Sequence, residues 1–554
     1  MAKRQPGSPK LGMSNLPNTS STEKSEFKDP SFDPEKISDS NLLMHLESET
    51  DLALQRVYQL EPATPMDSVE LENGCALGLK REDLSQVHSY KWRGSFNKIL
   101  SMHDSGFTGA LVAASAGNHA QGVAITAKRL QLSATIFMPR STPLLKQDSV
   151  RHFGGDFVDI RLHGDSFDQA STAARQYAAE SGGILIPPYD DLQVIAGQST
   201  IGVEIADELT EPPTHVFLEI GGGGMAAGVA SVIKRRFPNT KIIAVEAEHQ
   251  NCMGVSIANQ KLTKIENLDR FCDGTAVACP GKLPFRICKH LLDECLTVSN
   301  DQVCEAIQFL WQKKRTIVEP SAALGVAAAL QYELEPSDRP LTVLSGSNVD
   351  FMMLPKIARR GQARRPERRY YAFELDERKG AMNALLDNFL SNMNIIDFQY
   401  GKVTDKHAYP VIGIEVPHAD IAQMETFHQA PDVPKHLEVT GTAAADFRVI
   451  PFNVELLNHP FFAVIEFPNR PGALRDFMRF ASQLANVCYM NYTDTGQTEG
   501  QALMGFEFDN IGRQSEFLEW LKGSTKFQAI PMAVVKGFHA TADPVGRWST
   551  LQDR

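Results

Sequence analysis

Short apolar runs that break into small-residue loops and resume as helices restrict this chain more than any other feature. Val216–Ile220 runs into four consecutive glycines, Gly221–Gly224, then a helical pattern to about Arg235, and Lys241–Val245 is the next run. Gly109–Ala114 likewise leads through Ser115-Ala-Gly-Asn-His119 into a helix over about 120–130 and a second run at Ala134–Met138. Successive units of this kind need crossover connections, and these need a parallel sheet covered by helices on both faces. The pattern extends over roughly residues 40–360 and predicts an α/β domain.

At 554 residues the chain has room for about three or four domains. Its net charge of −12 argues against a nucleic-acid partner or an acidic membrane surface, either of which needs a basic face. No apolar run is long enough to span a bilayer; the most apolar helical stretch, Ala322–Leu330, ends in Gln331 and Glu333. No two of the eight cysteines have the spacing of a zinc or thioredoxin motif. The five from Cys272 to Cys304 therefore read as buried thiols of a reducing compartment, with a metal cluster as the alternative. Residues 1–38 are polar and read as disordered. Glu23, Glu26 and Asp29 interrupt a transit-peptide pattern, which favours the cytoplasm and leaves an organelle matrix open.

Six arginines and Pro366 make 359–369 a basic linker, closing a domain over 39–358. Beyond it the chain repeats itself. Glu377-Arg-Lys-Gly380-Ala-Met and Asn469-Arg-Pro-Gly472-Ala-Leu stand 92 residues apart, and so do Asn394–Tyr400 and Asn486–Tyr492 (469 − 377 and 486 − 394). Gly413–Val416 and Gly505–Phe508 keep the same offset. Ungapped matches at one offset indicate two copies of a small domain, 370–455 and 456–540, followed by a tail at 541–554. A strand, a glycine turn, a helix and an alternating hairpin in each copy predict a βαββαβ sandwich.

The strand–helix junctions carry the candidate chemistry. Lys91, in His88-Ser-Tyr-Lys-Trp-Arg-Gly94, has an amine able to form an imine with an aldehyde cofactor; standing alone, such a lysine is a solvated surface charge. Gly221, Gly222, Gly223 and Gly224 let backbone N–H groups approach a phosphate, and the helix after them adds partial positive charge. A tight turn without a ligand is the alternative, and a nucleotide reading through Glu246 is the weaker one, because the glycines are unspaced. Ser115–His119 suits either a small anion at a helix start or a plain N-cap by Ser115. Ser345-Gly-Ser-Asn348 follows the run Leu341–Leu344, at a strand end where α/β proteins bind ligands. Glu319-Pro-Ser321 is either a capping turn or a site carboxylate.

Over roughly residues 45–355 the order and spacing of these segments resemble the fold-type II pyridoxal-phosphate enzymes, with their two-lobed, tryptophan synthase β-like fold. Within that group the resemblance is to the biosynthetic threonine dehydratase (threonine ammonia-lyase) family, and the duplicated C-terminal part is similar to that family's ACT-like regulatory region. The resemblance implies pyridoxal 5'-phosphate as cofactor. It implies that Lys91 holds this group and then removes the substrate Cα proton. Gly221–Gly224 and Met225 would cradle the phosphate, Asn118 would bond the ring hydroxyl, Ser345 would face the ring nitrogen and Tyr90 would pack nearby. Ser115, Ala116, Gly117 and His119 would hold the substrate carboxylate. A hydroxyl at the ring nitrogen leaves that nitrogen largely neutral, which suits β-elimination over transamination. No metal is expected, since only the first ligand of a cation site used by some relatives is present, at Glu246. The chain departs from the family pattern at Trp92, Ala278-Cys-Pro-Gly281, Ala322 and Ser347, which bears on substrate size and leaves the cofactor assignment intact.

The implied reaction is β-elimination of L-threonine to 2-oxobutanoate and ammonia, the first step toward isoleucine. The implied assembly is a homotetramer whose ACT-like copies bind an amino-acid effector, isoleucine by expectation. L-Serine is the alternative substrate, in a dehydratase, a racemase or a β-replacement enzyme. An amino-acid sensor with a decayed catalytic half is the reading of another class; it would bind effector without cofactor absorbance.

Overall fold

The computed structural model describes residues 36–140, 142–164, 166–363, 368–390, 393–416, 421–422, 433–440, 450, 452–453, 456–468, 473–493, 499–523 and 528–531. The disordered segment expected over 1–38 falls outside them up to residue 35, and the tail at 541–554 falls outside them entirely.

Two sheets build the first part of the chain. One has six strands, β1 (Met66–Glu70), β2 (Ala76–Lys80), β7 (His215–Glu219), β8 (Lys241–Ala247), β9 (Glu294–Val298) and β10 (Pro340–Val343), in the order β1-β2-β10-β7-β8-β9. Only the β1–β2 pair is antiparallel. The other sheet is wholly parallel and has four strands, β3 (Leu111–Ala114), β4 (Ala134–Met138), β5 (Val158–Leu162) and β6 (Ile184–Leu185), in the order β5-β4-β3-β6. Every residue of β3 and β4 is buried, as expected of central strands covered on both faces. The helix Lys91–Asp104 packs on both Asn118–Leu130 and Leu192–Glu208, so it lies at the seam between the two lobes. The apolar stretch at 322–330 is a short 3-10 turn and the helix Leu324–Ala329, all buried in the core beneath the larger sheet. Among the described residues no helix is long and apolar enough to cross a membrane.

The run of arginines differs from the expected linker. The helix Leu354–Ala363 takes in its first half, and strand β11 (Arg368–Phe373) begins at Arg368. Carboxylates explain the order: Arg360 meets Asp301 at 2.6 Å, Arg368 meets Glu415 at 2.6 Å and Arg369 meets Glu438 at 3.3 Å.

The two C-terminal copies share one antiparallel sheet. After β11 come β12 (Leu375–Asp376), β13 (Asn394–Gly401), β14 (His407–Ala408), β15 (Val411–Glu415) and β16 (His436–Glu438). The second copy supplies β17 (Phe461–Pro468), β18 (Asn486–Thr493), β19 (Glu499–Glu507) and β20 (Gln528–Pro531). The eight-stranded order is β16-β11-β15-β13-β18-β19-β17-β20, and β12 pairs with β14 separately. The second copy is a complete βαββαβ unit, with helices Ala473–Leu484 and Ile511–Gly523; in the first, the segment of the second helix lies mostly outside the described residues. The copies meet through β13 and β18, the strands related by the 92-residue offset, with Phe398 opposite Tyr492.

Candidate active site

Lys91 is the first residue of the seam helix. The chain before it is stitched to the loop after β10: Tyr90 N–H donates to the Ser345 carbonyl (3.1 Å), and Ser89 forms a β-bridge with Gly346. The Lys91 amine donates to the Gly274 carbonyl at 3.2 Å. Burial makes it less basic than a free lysine, while the charges of Glu319 and Asp273 oppose that effect. Two residues on, Arg93 is fully buried and ion-paired to Glu82 and Glu204; Lys80 pairs with Glu204 at 2.7 Å. This cluster pins the Lys91 helix to the end of β2 and to the helix Leu192–Glu208.

The four glycines turn β7 into the helix Gly224–Arg236. Gly223 has φ +90°, and a Cβ on Gly221 would come within 2.6 Å of the Thr275 carbonyl. A Cβ on Gly222 would strike the Tyr189 ring, so a side chain has no room at these positions. The Ala227 N–H is the first to bond within the helix, to the Gly223 carbonyl, which leaves the first-turn N–H groups at 224–226 for an anion. The Met225 side chain is buried in the core, so this residue offers the cradle only its backbone. Gly281 N–H donates to the Gly222 carbonyl at 3.0 Å, tying the unusual Ala278–Gly281 segment to this loop.

The segment 115–119 divides. Ser115 is not the N-cap: its hydroxyl accepts from Gly117 N–H at 3.2 Å, and Gly117 takes the cap position of the helix Asn118–Leu130. Ala116 and Gly117 lie in the turn before that helix. Asn118 donates to both oxygens of Glu319, at 2.8 and 3.1 Å, and accepts from Asn348 at 2.8 Å. The His119 ring is turned away. It is buried with Nε2 2.9 Å from the Ile186 carbonyl, and burial pushes its pKa down to about 4. Its side chain therefore cannot grip a substrate carboxylate, because packing against β6 holds it in the core of the smaller lobe.

Glu319 settles the choice between cap and site carboxylate. It makes no side-chain cap and reaches Asn118 instead, and burial together with Asp273 raises its pKa. Ser345 is buried at the end of β10. Beside it the sequence reading missed Glu219, whose signal was a glutamate inside an otherwise apolar run. It also missed Tyr189, for which the sequence holds no signal beyond an aromatic in a Pro-rich loop. Lys146, on the helix Leu144–Gly154 of the smaller lobe, crosses to Asp273 at 2.5 Å, next to the carbonyl that receives the Lys91 amine. Glu246 accepts from the N–H groups of Met253 (2.8 Å) and Gly254 (2.9 Å), so its carboxylate serves the helix Cys252–Ala258 and no ribose. The eight cysteines are all free thiols.

A family model described as Pyridoxal-phosphate dependent enzyme matches residues 57–346, and one described as C-terminal regulatory domain of Threonine dehydratase matches residues 359–447 and 455–527. The chain is 32% identical over 480 residues to the L-threonine dehydratase biosynthetic IlvA of Haemophilus influenzae, across 84% of this chain and 91% of that protein. It is 31% identical over 461 residues to the mitochondrial threonine dehydratase of Schizosaccharomyces pombe, across 81% of this chain and 76% of that one. The solved structure of the processed form of threonine deaminase isoform 2 from Solanum lycopersicum matches with a TM-score of 0.54 at 37% identity, over 58% of this chain and 89% of that chain.

Proposed function

Because the chain belongs to the threonine dehydratase family of pyridoxal-phosphate-dependent enzymes, we propose that the cleft beside Lys91 binds this cofactor and deaminates L-threonine to 2-oxobutanoate and ammonia. The observation that carries the reading is a lysine amine bonded to a backbone carbonyl, with no carboxylate partner, next to a helix that starts in four glycines. The residues fit the group. Gly221–Gly224 and the backbone of Met225 offer free N–H groups and no Cβ obstruction to a phosphate. Lys91 offers an amine whose basicity burial has lowered. Asn118 is held by Glu319 and Asn348, ready to bond a ring substituent, and Ser345 is the hydroxyl for the ring nitrogen.

When bound, pyridoxal phosphate supplies a sink for the electron pair left at Cα. The chain's own residues do the rest. The Lys91 amine takes the Cα proton, and a lowered pKa keeps part of it neutral for that task. The Ser115–Gly117 turn and the first N–H groups of the helix after it receive the substrate carboxylate. Loss of the Cα proton and the β-hydroxyl removes one water, and hydrolysis of the resulting enamine, after tautomerisation, adds one back and frees ammonia. Lys91→Ala protein should have neither the visible band of bound cofactor nor ketoacid production from threonine; retention of both would remove the assignment. Turnover across a panel including L-serine, with a check for D-serine, decides substrate preference.

We assign the effector to the pocket between the two C-terminal copies. Glu377 there accepts from Asn486 at 3.3 Å, and the Asn383 side-chain oxygen is buried without a partner. Both are acceptors suited to an ammonium group, and Leu375, Met382 and Met478 suit a branched apolar side chain such as that of isoleucine. An effector shifts activity only by binding two states unequally, so isoleucine titrations of activity test this directly. A homotetramer is the assembly that joins such sites, to be measured by light scattering. We place the enzyme in the cytoplasm or an organelle matrix; the S. pombe relative is named mitochondrial.

A further inference from the structure

Glu219 closes β7, two residues before the glycine loop begins. It is 4% exposed, and neither carboxylate oxygen has a hydrogen-bond partner of good geometry. A buried, unpaired carboxyl is costly enough to demand a reason. Its surroundings belong to the cofactor site. β7 and β10 are adjacent parallel strands with Thr342 opposite Phe217, so Glu219 and the segment that carries Ser345 after β10 leave the sheet at the same edge. The Ser345 hydroxyl lies close enough to offset part of the burial effect, and the other ionisable groups in electrostatic reach are Glu319 and Tyr90, with no cation among them. Burial pushes the carboxyl up to about 8, so at neutral pH it is mostly an uncharged acid that still carries its proton.

Resting on the reading of Ser345 as the residue at the cofactor's ring nitrogen, we infer that Glu219 is a positioning residue: its carboxyl donates to the Ser345 hydroxyl and so aims that hydroxyl's own proton at the ring nitrogen. An unassisted serine hydroxyl rotates, and it can donate or accept. Once its oxygen accepts from Glu219, its proton is left for the ring. A ring nitrogen that accepts a hydrogen bond stays unprotonated, which keeps the electron sink modest and favours loss of the β-hydroxyl over transamination. Glu219 reaches the chemistry only through Ser345.

The test compares wild type with E219Q, E219L, S345A and the E219L/S345A pair. It reads the visible band of the holoenzyme, the cofactor Kd on apoenzyme, and kcat and KM separately. Glutamine and leucine are close to glutamate in size, and apoenzyme melting temperatures confirm the fold. E219Q, whose amide still donates, should keep the band, the cofactor Kd and kcat within about twofold. E219L should shift the band and lower kcat by about fivefold or more with KM little changed, and S345A should do the same. E219L should add nothing further in the S345A background, because the two act as one unit. The inference is overturned if E219L keeps the wild-type band and kcat while S345A loses them, or if E219Q is as impaired as E219L. An S345A protein with an unchanged band and cofactor Kd overturns the reading of Ser345 itself, and this inference with it.

Discussion

Arg93 and Glu219 are both buried ionisable residues of the catalytic part, and their surroundings differ completely. Arg93 donates to Glu82, Glu204, Thr200 and Thr64, and with Lys80 it makes a cluster of two cations and two carboxylates. Glu219 has no cation and no well-formed hydrogen bond. The first group is balanced in charge and satisfied, and it holds a helix in place. The second is unbalanced, so it keeps its proton and its geometry depends on one neighbouring hydroxyl. The difference separates a structural use of buried charge from a chemical one, and four measurements bear on it.

The largest effect belongs to Arg93→Met. It leaves two carboxylates buried beside a single lysine and should cost about 3–5 kcal/mol in urea unfolding. A cost below about 1 kcal/mol would mean that the cluster does not hold the Lys91 helix.

Next comes pH. The carboxyls of Glu219, at about 8, and Glu246, at about 7, bind their protons more tightly folded than unfolded. Their contribution to stability is therefore full below the unfolded carboxyl pKa and is lost as pH rises through 7 and 8. Thermal melts from pH 5 to 9 should show a decline worth about 2–4 kcal/mol, and Glu219→Leu should flatten its upper half. A wild-type curve that rises over this window would contradict the burial argument.

Glu319→Gln should act on chemistry more than on folding. It weakens the hold on Asn118 and removes a charge near Lys91, and about a tenfold loss in kcat/KM is expected from steady-state assays. The smallest effect is that of Lys146→Gln. Its bridge to Asp273 is half open to solvent, so stability should change by less than about 1 kcal/mol. A larger loss would show that the two lobes depend on this tie.

Much of the architecture was readable along the chain. Strand β4 occupies the predicted residues, and the 92-residue repeat reappears as two four-stranded halves joined through equivalent strands. The site was readable in part. The Lys91 amine reaches Gly274 and the Gly221 backbone lies against the next residue, Thr275; the glycines were legible because a loop admitting no Cβ must be glycine. The errors fell on side chains whose partners lie elsewhere. The His119 ring bonds Ile186, 67 residues on, which leaves only its backbone for a substrate carboxylate. Asn118 meets Glu319 across 201 residues, and no local pattern records such a pairing.

Residue order alone carried the strand and helix alternation, the glycine turn and the duplication, since each follows from periodicity or backbone freedom over a few neighbouring positions. Only the folded chain decided which buried acids are paired with cations, which keep their protons, and which way His119 faces. Those outcomes depend on desolvation and on partners brought together from distant parts of the chain, and these exist only once the chain has folded.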